Sequence, residues 1–522
     1  MRQVAKGGQG NYLMSKLNRR DFLKLAALAP TAMALSKVVP DTLLSKGRRD
    51  STLPNVIILV FDAMTARDLS LYNYRRQTTP NLERFAERAT VYHAHHSAGN
   101  FTTPGVASLL TGMYPWTHRA INLGGLMVRR LVERNLFHLF GDEYHRMVFS
   151  QNILANFILN QFQEDIDNHL PPDLFGAADG IVGAYFKNDP NAAYRACDDF
   201  LFKEKPIQNF PGSLAFGLVD QVYLSYRVRR AQTKDHPKGL PHSVGYPLYF
   251  RLEDVFEGLI SLLARMRLPC LAYIHLFPPH SPYRPNNDYF GIFKDNWRPV
   301  AKPQHPLAEG FIDSTLNRYR RQYDEYVANV DAEFGRLMDA MEGSGILDRS
   351  YVVISSDHGE MFERGERAHS TSLLYEPVVH IPLLISTPGQ QNRKNIYSPT
   401  NSVDVMPTLL RLAGREIPEW CEGRVLPGLG GEEEASRKLY MMEAKHSPIQ
   451  RPLEQATIAM IKGRYKLIHY IGYQVAGYTD AYELYDLNND ADEMVDLYSP
   501  SNSTAQELKV EMLRKIEQVD HS

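Results

Sequence analysis

Cysteine is scarce: Cys197, Cys270 and Cys421 are the only three in 522 residues. They are too few and too scattered for a disulfide framework or a thiolate zinc site, which disfavours soft-metal chemistry. No apolar run reaches the roughly 18 residues of a membrane-spanning helix, so a multi-span protein is excluded. Neither sign of charge dominates, with 58 basic against 60 acidic residues and a net charge of −2. Nothing in that balance points to a nucleic-acid or polyanion partner. What remains is ordinary for a soluble globular chain: 43% hydrophobic and 23% charged residues. Such a composition excludes a disordered chain, a collagen and a coiled coil. The length allows two to four domains, or one large core with an appendage.

The N-terminus reads as an address. Asn18-Arg19-Arg20-Asp21-Phe22-Leu23-Lys24 precedes a short apolar stretch from Leu25 to Leu35, broken by Pro30. Ala32-Met33-Ala34 offers a small-x-small cleavage site. Paired arginines before a mild apolar run resemble a bacterial twin-arginine export signal. The alternative is an amphipathic surface helix with a basic start. Residues 1–34 are therefore expected outside the mature fold, with 35–53 as a polar linker and either Met1 or Met14 as the start. The expectation is an exported protein, periplasmic or in the cell envelope, with the export machinery as partner and no transmembrane span in the mature chain.

Pro54–Asp62 is a continuous apolar run ending in a lone acid, the pattern of a buried strand. Helical periodicity covers 79–89, 253–267 and 318–342; strand patterns cover 268–277, 351–356 and 379–386. Strands alternating with helices predict an α/β sandwich with ligands at the carboxyl ends of the strands. Residues 155–248 break that rhythm and read as an insertion that shapes a pocket within a catalytic domain at 54–430. Strand patterns at 457–470 and 481–487, then a polar helix at 504–518, read as a small α+β subdomain at 436–522.

Chemistry-bearing residues gather at these strand ends. Asp357-His358-Gly359-Glu360 follows one strand and Asp62 ends another, so two carboxylates and an imidazole are candidate ligands of one metal. Thr102 precedes Thr103-Pro104, which reads as a helix cap and first helical residue, with Gly112 as the stop. A hydroxyl at a helix N-terminus faces a ready anion site. An oxygen-rich set with one nitrogen predicts one divalent ion, Mn²⁺, Mg²⁺, Ca²⁺ or Zn²⁺, held by Asp62, Thr102, Asp357 and His358. His275 and His280 end a further strand, and either can protonate a leaving oxygen. His275 reads equally well as a satisfied core histidine, which favours His280 in its Pro-rich loop. His369 is a further candidate; His93, His95 and His96 read as strand and loop residues.

The order of these pieces resembles the sulfatase branch of the alkaline-phosphatase superfamily. The resemblance runs from Pro54 to about Leu497. It includes Thr79-Pro80-Asn81, Ala107-Ser108-Leu109-Leu110-Thr111-Gly112-Met113-Tyr114-Pro115 and Pro279-His280-Ser281-Pro282-Tyr283. It continues through Ser356-Asp357-His358-Gly359-Glu360, Leu374-Tyr375-Glu376, Pro407-Thr408-Leu409-Leu410, Arg464-Tyr465-Lys466-Leu467-Ile468 and Glu483-Leu484-Tyr485-Asp486-Leu487. It implies a large α/β sandwich carrying the metal, with a four-stranded C-terminal subdomain. The departures bear on chemistry. The family's Cys/Ser-x-Pro-Ser-Arg frame reads Thr102-Thr103-Pro104-Gly105-Val106 here. Threonine oxidises to a ketone, so no formylglycine is expected. The supporting arginine is Val106, and the two acids that usually end the first strand reduce to Phe61-Asp62. One family lysine gives way to Gln151-Asn152, and another to Thr371 or Ser372 with His369 upstream.

A threonine nucleophile resembles phosphotransfer relatives, in which it is both ligand and attacking group. The reading is an exported metal-dependent hydrolase of phosphoesters or phosphonates on a small-molecule, glycan or lipid ester, acting through Thr102. Three alternatives stand beside it: a sulfatase without formylglycine, an envelope phospho-group transferase, and a non-catalytic binding protein.

Overall fold

The computed structural model describes residues 52–176, 235–244, 248–434, 436–449, 452–475 and 477–520. The expected export segment, nearly all of the linker and the middle of the 155–248 insertion lie outside the described residues.

Eight strands form the central sheet. They are β1 (Asn55–Phe61), β2 (Thr90–Tyr92), β3 (His145–Ser150), β4 (Asn168–Leu170), β5 (Cys270–Leu276), β6 (Ser350–Ser355), β7 (Leu383–Ser386) and β8 (Lys394–Ile396). Their order across the sheet is β8-β2-β7-β6-β1-β5-β3-β4. Only β7 runs against its neighbours; the other pairings are parallel. Every residue of β1 is buried, because helices cover both faces. Successive side chains point to opposite faces. Ile57, Leu59 and Phe61 accordingly join one apolar cluster, and Val56, Ile58 and Val60 another.

Helices α1 (Pro80–Ala86), α2 (Thr102–Thr111), α3 (Ile153–Gln161), α4 (Leu252–Arg265), α5 (Asp313–Gly343) and α6 (Val405–Leu412) complete the sandwich. The first cluster takes Phe85 of α1, Leu259 of α4 and Phe334 of α5. The second takes Val106 of α2, Ile158 of α3 and Leu409 of α6. The α/β sandwich expected from the sequence is therefore present as three layers.

Two boundaries differ from the sequence reading. α3 runs into the 155–248 segment and β4 lies inside it, yet β4 pairs with β3 as an edge of the central sheet. A three-residue edge strand is too short to show alternation. The run read as 457–470 is a hairpin of two strands that turns at Gly463, whose φ of 60° suits glycine.

Strands β9 (Lys438–Glu443), β10 (Ala456–Lys462), β11 (Tyr465–Ile471) and β12 (Asp480–Asp486) form an antiparallel sheet in chain order. α7 (Ser503–Asp520) covers it through Ala505, Leu508 and Met512, packed with Ile458, Met460 and Leu467. Lys466 of β11 is fully buried, its Nζ 2.9 Å from Glu376 Oε1 and 2.8 Å from Glu493 Oε1. Among the described residues, no helix is long and apolar enough to cross a membrane.

Candidate active site and metal centre

Strands β6, β1, β5 and β3 are parallel neighbours, so their carboxyl ends open on one spot. Asp62 follows β1, and its backbone N–H donates to the Leu276 carbonyl of β5 at 3.0 Å. Asp357 and His358 follow β6. Ser356 ties the two turns together: its hydroxyl lies 2.6 Å from the Phe61 carbonyl and accepts from Met64 N at 2.9 Å. Asp62, Asp357 and His358 thereby place ligand atoms within 4.8 Å of one another, all three buried. His358 Nε2 lies 3.4 Å from Asp62 Oδ1 and 3.4 Å from Asp357 Oδ2. Asp357 Oδ1 accepts from the N–H groups of His358 (3.0 Å) and Ala63 (3.3 Å), which turns Oδ2 inward.

α2 brings Thr102 to the same place. The helix begins at Thr102, and Phe101 in extended conformation precedes it. Thr103 is therefore inside the first turn and does not cap it; its buried Oγ1 makes no hydrogen bond. Pro104 is the third helical residue, where a missing N–H still costs nothing. Gly112, with φ of 64°, ends the helix as expected. Thr102 Oγ1 stands 3.4 Å from His358 Nε2. Gly105 permits this approach: a Cβ there would meet the Asp357 carbonyl oxygen at 2.2 Å.

Asn152 is a site residue that the sequence marked only as standing, with Gln151, where a family lysine is expected, and not as a candidate. It caps α3, its Oδ1 accepting from Leu154 N at 2.7 Å. Its Nδ2 donates to Thr102 Oγ1 at 3.1 Å and closely to Asp62 Oδ2. The available signal was an asparagine between a strand and an apolar run, the pattern of a helix cap.

The structure gathers all three candidate histidines around this point. His275, fully buried, has Nε2 3.4 Å from Asp62 Oδ2 and 3.6 Å from Asp357 Oδ2. It is thus not the satisfied core histidine of the alternative reading. His280 holds the Ser281 carbonyl through Nδ1 at 2.7 Å, and its ring lies 4.8 Å from that of His369. The His369 ring sits 4.2 Å from that of His358, with Nδ1 3.1 Å from Glu360 Oε1. By contrast, His95 bonds Thr400 and His96 bonds Glu376, in strand positions away from these ligands.

Charge is tightly balanced. Burial opposes ionisation of Asp62, but the field of His280 and contacts with His275 and His358 outweigh it and hold the carboxyl well below its usual range. Burial would depress His358 too; Asp357 and Asp62 instead lift it to about 9. Burial, then the neighbouring His358, pushes His369 down to about 3. Burial also depresses His280, against the pull of Asp62.

Three buried polar atoms here, Asp62 Oδ1, Asp357 Oδ2 and His275 Nε2, have no hydrogen-bond partner. Each would carry a large desolvation cost if left so. Two carboxylates beside an imidazole, with orphaned atoms turned inward, fit a divalent cation. In such a site, a cation supplies charge neutralisation and lowers the pKa of a bound hydroxyl.

Comparison with known proteins follows the same architecture. A family model described as Sulfatase matches residues 54–415, and one described as N-sulphoglucosamine sulphohydrolase, C-terminal, matches 365–522. An ulvan-active sulfatase of Formosa agariphila is 23% identical over 429 residues, covering 80% of this chain and 74% of its own. A choline-sulfatase of Rhizobium meliloti is 21% identical over 469 residues, covering 85% and 82%. Among solved structures, a phosphonate monoester hydrolase from Silicibacter pomeroyi superimposes with a TM-score of 0.62 at 21% identity, covering 90% of this chain and 96% of that one.

Proposed function

Since this chain belongs to the sulfatase family and is an ester hydrolase of the alkaline-phosphatase superfamily, we propose that it cleaves phosphoester or phosphonate bonds through Thr102, without formylglycine. The observation that carries the reading is Thr102 itself. Its hydroxyl begins a buried helix and touches both His358 and Asn152 beside the two carboxylates. Asp62, Asp357 and His358, with the Thr102 oxygen, would hold one divalent ion, which supplies charge neutralisation at the hydroxyl and at the ester oxygens.

In this reading the Thr102 hydroxyl first loses its proton to solvent, and the Thr102 alkoxide, which the second step regenerates, attacks phosphorus in line with the leaving oxygen. The new Oγ–P bond forms as the P–O bond to the alcohol breaks. Asn152 steers the Thr102 oxygen by donating to it, and the N-terminus of α2 faces the developing charge. His280, its Nδ1–H held by the Ser281 carbonyl, presents Nε2 as the proton carrier. An entering anion raises its pKa, so the imidazolium can give its proton to the departing alcohol oxygen. Water then attacks phosphorus, and the neutral imidazole accepts that water's proton as the Thr102 oxygen leaves.

A sulfuric ester substrate is the second reading, favoured by the relatives named sulfatases. Export through the twin-arginine machinery, on the strength of Arg19-Arg20 and the apolar run that follows, completes the proposal. The test is a turnover panel of matched aryl phosphate, phosphodiester, phosphonate and sulfate esters, with and without added Mn²⁺, beside Thr102→Ala. The proposal expects metal-dependent release from a phosphorus ester that vanishes in the variant. Turnover of the sulfate alone would favour the second reading. Turnover that survives in Thr102→Ala contradicts the nucleophile.

A further inference from the structure

We propose that a basic cavity beside His280 receives the leaving alcohol and selects one that carries an anionic group of its own, so that the substrate is an ester with a second negative charge. The inference rests on the hydrolase reading above, in which His280 serves the departing oxygen, and it names the substrate class for that site.

Exposure fixes the side from which an ester enters. Asp62, Thr102, Asp357, His358 and His369 are buried, whereas His280 is partly exposed. The loop that carries His280 runs directly into a cavity of about 520 Å³. Ser281, whose carbonyl lies 2.7 Å from His280 Nδ1, lines that cavity together with Tyr283. Arg367 lines it as well, two residues before His369, whose ring stands 4.8 Å from that of His280. A leaving group protonated by His280 therefore extends toward this space. The volume suits a ring-sized alcohol with a charged substituent.

The charges on the wall decide which substituent. Lys238, Arg284, Arg318 and Arg367 line the cavity against a single acid, Glu325. That acid has its own partner in Arg321, with Nε at 3.9 Å. Among the described residues, none of the four cations forms an ion pair, and Arg367 Nε is buried without a hydrogen-bond partner. Elsewhere the fold pairs its buried arginine: Arg76 holds Asp295 at 2.6 Å and Asp324 at 2.7 Å. Four unpaired cations in one cavity, in a chain whose net charge is −2, repel one another until an anion enters.

The guanidinium groups are held for that purpose. Those of Arg318 and Arg367 stand 5.2 Å and 4.1 Å from the centroid of one ring, Tyr319. A guanidinium stacked on an aromatic face keeps its N–H edge for two-point contact with carboxylate or phosphate oxygens. Arg284 Nη1 donates to the Leu240 carbonyl at 3.0 Å, which fixes a third. Tyr319 and Phe290 add apolar surface for the ring of the alcohol.

The experiment gives the purified, metal-loaded full chain leaving groups that differ in one charge. In the ester class that the chain cleaves, p-carboxyphenyl, p-sulfophenyl and p-phosphonophenyl esters are compared with the neutral p-carbamoylphenyl ester, with rates corrected for the pKa of each phenol. At least one charged ester should exceed the neutral one in kcat/KM by about 10–100-fold, and the best of the three names the anion. That charged-to-neutral ratio should fall toward one in the double variant Arg318→Gln/Arg367→Gln, and also as salt is raised from about 0.05 to 0.5 M. Arg318 is exposed, so Arg318→Gln alone carries the test if the double variant does not fold. A ratio near one in the wild type, or one that survives in the variants, overturns the assignment and leaves the hydrolase reading standing. Absence of turnover on every ester overturns the hydrolase reading. Calorimetry then decides the cavity: p-hydroxybenzoate should bind at least about 10-fold more tightly than p-hydroxybenzamide, and equal binding overturns the assignment.

Discussion

At the scale of single residues, Thr102 and Asn152 divide the work of the site. Thr102→Ala removes the attacking oxygen but leaves Asp62, Asp357 and His358 in place. Turnover should fall by about 10³-fold or more, while elemental analysis still finds metal held, more weakly, by the three ligands that remain. Asn152→Ala removes a donor to Thr102 and the cap of α3 at once. It should lower kcat/KM by about 10–100-fold and cost about 1 kcal/mol in denaturant unfolding, which separates its two roles. Asp62, Asp357 and His358 were legible because an acid closing an apolar run is conspicuous. Asn152 was not, since its partners lie 90 and 50 positions away in the chain. His275 was legible only as a residue type: whether a strand-end histidine faces core or carboxylates depends on which strands adjoin.

At the scale of elements, the approach of α2 to the turn after β6 sets the geometry. Gly105→Ala would drive a methyl group into the Asp357 carbonyl. Overpacking of this kind costs about 1–3 kcal/mol, and here the strain falls on the ligand turn. The variant should unfold at lower denaturant and bind metal more weakly than Thr102→Ala; equal metal affinity in the two would contradict the coupling. Long helices such as α4 and α5 were readable from apolar periodicity, because each buries one stripe. The start of α2 was misread by two residues, because Thr103-Pro104 imitates a cap and first helical residue although Phe101 already supplies the extended residue. β4 escaped notice because three residues at a sheet edge leave no pattern.

At the scale of the whole molecule, buried ionisable groups set the response to pH and join the two sheets. His118 and His380 are held neutral near a pKa of about 3, and His169 near about 4, in each case chiefly by burial. Their folded values lie below the ordinary histidine value of 6.5. Their contribution is therefore complete above pH 6.5 and is lost as pH falls toward those values. Each histidine removes up to about 1.4 kcal/mol per pH unit in that window. Denaturant midpoints should drop from pH 7.5 to 5.5, and His118→Gln should flatten the slope. Lys466→Ala leaves Glu376 and Glu493 facing each other without their cation, at a cost of about 3–5 kcal/mol. A melting temperature equal to wild type would refute that role. The layered sandwich and the C-terminal sheet were legible from the order of motifs, whereas this buried bridge between distant segments was visible only once the chain had folded.

The most direct test of the account is covalent. A reaction with a fast-leaving aryl phosphodiester or phosphonate, quenched in acid during turnover, is digested and read by mass spectrometry. The account predicts a phospho- or phosphonyl adduct on the peptide that carries Thr102, present with metal and absent from Thr102→Ala. Steady turnover with no adduct on that peptide, and with activity retained in Thr102→Ala, would contradict it.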